Sequence, residues 1–176
     1  MVGRPRHGVL IVTCRSLLAC AAALGLLGAG PPAPIELRTL DGVSIRITRG
    51  PAEPDVVLHF WASWCSECAE ELPSLGRAAQ ACDPARVRVM AVNIGEEPEL
   101  VRAFLAQHAF ELPVLLDPGG KAWRRAGLWG VPSNLLWTAQ GVSTSAGQTS
   151  AERWRERLEG LGCAPSAAGA SGSAQP

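Results

Sequence analysis

Val56-Val57-Leu58-His59-Phe60-Trp61 runs directly into Ala62-Ser63-Trp64-Cys65-Ser66-Glu67-Cys68, and the reading of this junction decides the fold. A nearly unbroken apolar run over Asp55 to Trp61 predicts a central strand buried on both faces in a partly parallel sheet. Beyond it, Leu72, Leu75 and the alanines fall at helical spacing, and Glu67, Glu70 and Glu71 load the first turns where the dipole favours acids. A helix over residues 66–81 follows, with Pro73 expected to kink it because proline lacks the N–H that bonds back one turn. Two cysteines at such a strand-to-helix junction meet within one turn, as a redox dithiol requires. The thiolate is the nucleophile of disulfide exchange, and the unpaired N–H groups of a helix N-terminus favour it. Cys65 is therefore assigned as the attacking, more exposed sulfur and Cys68 as the resolving one.

Upstream, Ile35 to Thr39 and Val43 to Ile47 alternate apolar with polar around Asp41-Gly42, which predicts a β-hairpin. Downstream, the pattern predicts a strand over 87–94, a helix from Pro98 to about Ala109, a short strand over 113–116 and a short helix over 121–126. A loop over 127–131 leads to Pro132, followed by a strand pair over 133–138 and 142–145. Thr149-x-x-Glu152 reads as a capping box that starts a last helix, closed by Gly160 or Gly162. The expected domain is residues 34–163, and the Ala, Ser, Gly and Pro run of 164–176 is expected to be disordered.

Residues 1–30 read as a signal peptide or N-terminal anchor: Arg4, Arg6, His7 and Arg15 precede an apolar stretch from Ser16 to Gly28. Export is the expected outcome, to the periplasm or the outer face of the inner membrane, as a soluble or N-terminally tethered protein. Cys20 after Leu17-Leu18-Ala19 keeps a lipid anchor open. Removing the leader takes Cys14 and Cys20 with it and leaves Cys65, Cys68, Cys82 and Cys163, an even set in an oxidising compartment. Sixteen basic against sixteen acidic residues, with no run of like charges, give no electrostatic footprint for nucleic acid. A zinc site would need two further ligands at suitable spacing, which Cys82 and Cys163, standing alone, do not offer, and no cofactor is expected.

Phe60-Trp61-Ala62-Ser63-Trp64-Cys65-x-x-Cys68-x-x-Glu71-x-Pro73, followed by Gly130-Val131-Pro132, resembles the thioredoxin fold. More narrowly it is similar to the exported TlpA/ResA-like thiol-disulfide oxidoreductases, over roughly residues 35 to 162. The implied fold is α/β, a central mixed sheet flanked by helices, with an N-terminal hairpin and a family-type insert near Pro98 to Leu116. The resemblance implies that Pro132 is a cis-proline facing the dithiol, exposing the backbone of Val131 to pair with an extended partner. It places Glu71 where ResA-like proteins keep a glutamate near the active site, to shuttle the Cys68 proton or raise the thiol pKa values. In that fold the helix after the dithiol and the last helix end side by side, so a structural disulfide between Cys82 and Cys163 is favoured over free thiols. Trp64 is expected to shield the thiols and form contact surface, the other tryptophans to serve core and fold surface.

Departures accompany the resemblance. Ser66-Glu67 lacks the proline common between the cysteines, and Ser133-Asn134 follow the expected cis-proline where Thr or Glu is usual. His59 stands where thioredoxins place a buried acid. It reads either as a hydrogen-bonded core residue or as a proton acceptor for Cys68. Glu71 reads either as an active-site carboxylate or as a solvated helix residue, and His108 as surface. Glu67 opposes ionisation of Cys65, which makes the couple more reducing. The expected activity is reduction of exported disulfide proteins such as apocytochrome c, fed by a membrane thiol-disulfide electron donor. The alternatives are an exported oxidase or isomerase and a non-catalytic, disulfide-stapled peptide-binding module. A peroxiredoxin-like peroxidase is disfavoured because its Pro-x-x-x-Thr/Ser-x-x-Cys signature is absent.

Overall fold

The computed structural model describes residues 33–165; the leader expected over 1–30, with Cys14 and Cys20, and most of the expected tail lie outside them. Among the described residues, no helix is long and apolar enough to cross a membrane. The strands are β1 (Ile35–Thr39), β2 (Ser44–Ile47), β3 (Asp55–Trp61), β4 (Val87–Ile94), β5 (Val114–Asp117), β6 (Ser133–Thr138) and β7 (Gly141–Ala146). The helices are α1 (Ser66–Ala79), α2 (Pro98–Gln107), α3 (Lys121–Arg125) and α4 (Ala151–Gly160). All seven strands form one sheet in the order β2-β1-β5-β4-β3-β6-β7. β3, β4 and β5 run parallel, and β1, β2, β6 and β7 add antiparallel flanks.

The period-two alternation of β3 divides the core. Val56, Leu58 and Phe60 join Leu37, Ile47, Val92 and Trp137 on one face, where Trp123 of α3 also packs. Val57 and Trp61 point the other way, the first among Leu75, Trp154 and Leu158, the second among both redox cysteines, Leu72, Val101 and Phe104. Each such large side chain, fully buried, contributes roughly 1.5–3 kcal/mol. His59 lies between Val57 and Trp61 and shares their face, so the strand that reads as continuous apolar carries one polar group into the interior beneath α1 and α4.

α1 continues on both sides of Pro73 and ends at Ala79, two residues before the expected end. Gly76 lets it approach the 110–111 segment closely: a Cβ there would lie 3.2 Å from the Glu111 amide nitrogen. α4 is capped by Ser150, whose Oγ accepts from the Arg153 amide, and not by Thr149 as the capping-box pattern suggests. Thr149 is buried, and its N–H is taken by a carboxylate of α1, which shifts the cap by one residue. At the far end of α4, Gly162 takes a φ of 90°, Cys163 N–H bonds Leu158 C=O at 3.0 Å and Gly162 N–H bonds Glu159 C=O at 2.8 Å. This Schellman motif turns the chain so that Cys163 faces the end of α1. There Cys82 and Cys163 are joined in a disulfide, and Ala164 N–H bonds Ala81 C=O at 2.9 Å beside it.

Candidate active site

Cys65 is the N-cap of α1, in extended backbone, and its Sγ accepts the Cys68 N–H at 3.1 Å. The cap is thus the sulfur itself, taking an N–H of the first turn that has no backbone acceptor at the positive end of the helix, where a thiolate is stabilised. Cys65 and Cys68 are bonded to each other, with Cα atoms 5.2 Å apart. Cys65 is 7% exposed and Cys68 fully buried, so an incoming group meets Cys65 first. The turn ahead of it is braced from β4: Glu96 accepts Ser63 N–H at 2.7 Å, Ser63 Oγ at 2.5 Å and Asn93 Nδ2 at 2.6 Å. Sequence reading missed Glu96, whose contact to Ser63 spans 33 residues.

Val131-Pro132 is a cis peptide. Val131 packs against the cluster that contains both cysteines and makes no backbone hydrogen bond among the described residues, so its N–H and C=O remain open to an extended strand. Trp64, next to Cys65, is 71% exposed. Trp129, two residues before Val131, is 84% exposed, on the surface side of the expectation that the remaining tryptophans serve core and fold surface. His108 is half-buried and stacks on Phe104 at 4.2 Å rather than lying free on the surface.

Beneath the dithiol lies a buried polar group assembled from four elements and the loop before α4. Glu71 is 2% exposed, which overturns its reading as a solvated helix residue. Its Oε1 accepts Trp154 Nε1–H at 2.7 Å and its Oε2 accepts Thr149 N–H at 3.1 Å. Three residues separate it from Cys68, which puts both on one face of α1. Burial pushes the Glu71 carboxyl above its ordinary range; the bonds from Thr149 and Trp154 and the charge of Arg157 oppose that rise, and Glu67 adds to it.

His59 Nδ1 lies 2.8 Å from Asn134 Oδ1 and 3.7 Å from Glu71 Oε1. Asn134 spends its Nδ2 on Ser145 Oγ, so its Oδ1 is the acceptor and the His59 proton resides on Nδ1. Nε2 is left as a bare lone pair with no partner among the described residues. Burial lowers the His59 pKa to about 4, so the imidazole is neutral at pH 7 and its contact with Glu71 is not an ion pair. The Asn134 bond pulls the other way and does not win.

A family model described as the AhpC/TSA family matches residues 31–146. The sporulation thiol-disulfide oxidoreductase A of Bacillus subtilis is 27% identical over 133 residues, 73% of this chain and 79% of that protein. The thiol-disulfide oxidoreductase ResA of Bacillus thuringiensis is 29% identical over 105 residues, 60% of each chain. Among solved structures, the pneumococcal exposed lipoprotein thioredoxin of Streptococcus pneumoniae superposes with a TM-score of 0.60 at 30% identity, over 74% of this chain and 98% of that one. With a bonded Cys-x-x-Cys capping the first helix of a thioredoxin-like sheet, this chain belongs to the AhpC/TSA family, as a thiol-disulfide oxidoreductase of the ResA and sporulation-protein type.

Proposed function

We propose that the chain is a reductant of exported disulfide-containing proteins, apocytochrome c during cytochrome c maturation among them, and that a membrane thiol-disulfide donor regenerates it. The observation that carries the direction is Glu67, an exposed carboxylate between the two cysteines and within a turn of the attacking sulfur. A negative charge there disfavours the Cys65 thiolate, destabilises the reduced form and lowers the potential. Export rests on the leader read from residues 1–30, and a tether or lipid at that end would hold the domain at the outer face of the inner membrane.

In the reaction, the Cys65 thiolate attacks a partner disulfide and expels one partner sulfur as a thiolate, which takes up a proton. Cys68 then loses its proton and attacks Cys65, releasing the second partner thiol and closing the Cys65–Cys68 bond. Two electrons pass from the dithiol to the partner. Glu71, one turn from Cys68 on the same face of α1 and with its pKa raised by burial, takes the Cys68 proton, and His59 sits behind it as a neutral hydrogen-bonded support. The open backbone of Val131 aligns the partner chain, and Trp64, exposed next to Cys65, offers that chain an apolar contact.

Equilibration of Cys65–Cys68 with glutathione tests the direction. A potential at or below about −230 mV supports the reductant, and one near about −120 mV makes the protein an oxidant and removes the role given to Glu67. Insulin reduction by the wild type but not by C65S establishes catalysis through this sulfur.

A further inference from the structure

Two tryptophans are the most exposed large apolar residues among those described, Trp129 at 84% and Trp64 at 71%. They come from separate segments that meet at one end of the sheet. β6 runs antiparallel to β3 with Ser133 opposite Phe60, so the loop that ends at Pro132 arrives where β3 hands over to Trp64 and Cys65.

The loop carrying Trp129 is fixed on both sides of it. Leu128 is buried, with its N–H on Trp123 C=O at 3.2 Å. Trp123 Nε1 reaches Gly130 C=O at 3.4 Å and Ser133 Oγ at 3.2 Å, and Pro132 is buried. Trp129 is therefore the one large side chain of a pinned loop that faces outward. A residue held this way loses little freedom when a partner covers it, so its apolar surface is available for affinity. Residues 126–134 contain no charged side chain, so the loop itself offers no counter-ion to a charged partner residue; the neighbouring charges in sequence are Arg125, just before the loop, and Glu67, beside the sulfurs.

We propose that Trp129, with Trp64, forms an apolar rim that selects partners carrying an apolar side chain beside their reacting cysteine, which makes Trp129 a specificity-determining residue. The partner segment is extended, because the unpaired backbone it must meet is that of Val131. This rests on the reading of the partner as a disulfide-bearing polypeptide; the small disulfide of glutathione has no side chain to place on the rim.

The test uses the full chain, reduced, and two synthetic peptides whose single cysteine is a mixed disulfide with glutathione, one flanked by Leu and one by Ser. Each turnover converts the Cys65–Cys68 dithiol to its disulfide and releases one peptide thiol and one glutathione. Wild type is expected to reduce the Leu peptide about tenfold faster at limiting peptide, a difference of about 1.4 kcal/mol carried by KM. W129A should lose that preference, W129F should keep most of it, and both should equilibrate with glutathione at the wild-type potential. Equal wild-type rates on the two peptides overturn the proposal. So does a W129A that keeps the preference, or one that slows both peptides and oxidised glutathione alike. A wild-type dimer that W129A dissociates, with the preference unchanged, assigns the rim to a second copy of this chain instead. If wild type reduces neither peptide, the oxidoreductase reading fails as well, and the two failures are thereby distinguished.

Discussion

Breaking the Cys82–Cys163 bond should cost the domain several kcal/mol without altering its redox chemistry. The bond closes a loop with a sequence separation of 81, and the chain-entropy relation assigns such a loop about 4.5 kcal/mol at 25 °C. Measured values commonly fall short of that relation, so a loss of about 2–4.5 kcal/mol is expected. The assay is urea unfolding of the full chain carrying C14S, C20S, C65S and C68S, with and without reductant, so that this bond alone changes. Its reduction should lower the unfolding midpoint and raise the slope, because an unlinked denatured chain exposes more surface. A loss below about 1 kcal/mol with an unchanged slope would refute the reasoning. It would mean that the Schellman turn and the Ala164–Ala81 bond already hold the two helix ends together. In an otherwise wild-type chain, C82A/C163A should leave the Cys65–Cys68 potential where it was, since the two bonds sit at opposite ends of α1.

Three further outcomes follow from the site. The His59 pKa is lowered to about 4 while the unfolded value stays near 6.5, so the unfolded chain binds the extra proton between those limits. Stability from this group is complete above about pH 6.5 and lost as pH falls to about 4, up to about 3 kcal/mol, against an opposing gain as Glu71 takes up its proton. Urea midpoints across this range should fall less for H59N than for wild type; parallel curves would assign the acid sensitivity elsewhere. E71A leaves Trp154 Nε1–H and Thr149 N–H buried without an acceptor, which should cost about 2–5 kcal/mol in chemical denaturation, and E71Q should recover part of it. A wild-type midpoint for E71A would mean that water replaces the carboxylate. C68S should retain a peptide as a covalent adduct by mass spectrometry and C65S should retain none, because only Cys65 attacks; adducts on C65S would reverse the assignment.

The strand-to-helix junction was legible because its information is local. β3, α1 and the Cys-x-x-Cys pair are written in periodicity and spacing over fewer than thirty residues, and the paired glycines and prolines mark the turns that follow. Local pattern misled where a long-range contact outbid it. Thr149 has the right spacing for a cap, yet its N–H is needed by Glu71, 78 residues away, and Ser150 takes the cap instead. Glu71 itself looked divided between solvent and site, since a helix position three residues after a cysteine does not say what packs over it. Trp154 and Thr149 cover it only because α4 returns across α1.

The sequence by itself determined the α/β order of elements and the redox pair, because each depends on residues within one turn or one strand of each other. Only the tertiary structure decided the protonation partners and the rim. His59 acquires its low pKa from burial and its tautomer from Asn134 across the β3–β6 ladder, and Trp129 is left outward because Leu128, Gly130 and Pro132 are drawn in around it. The physical reason is the same in both cases: desolvation and exposure are properties of what packs against a side chain, and that is set by residues distant in the chain.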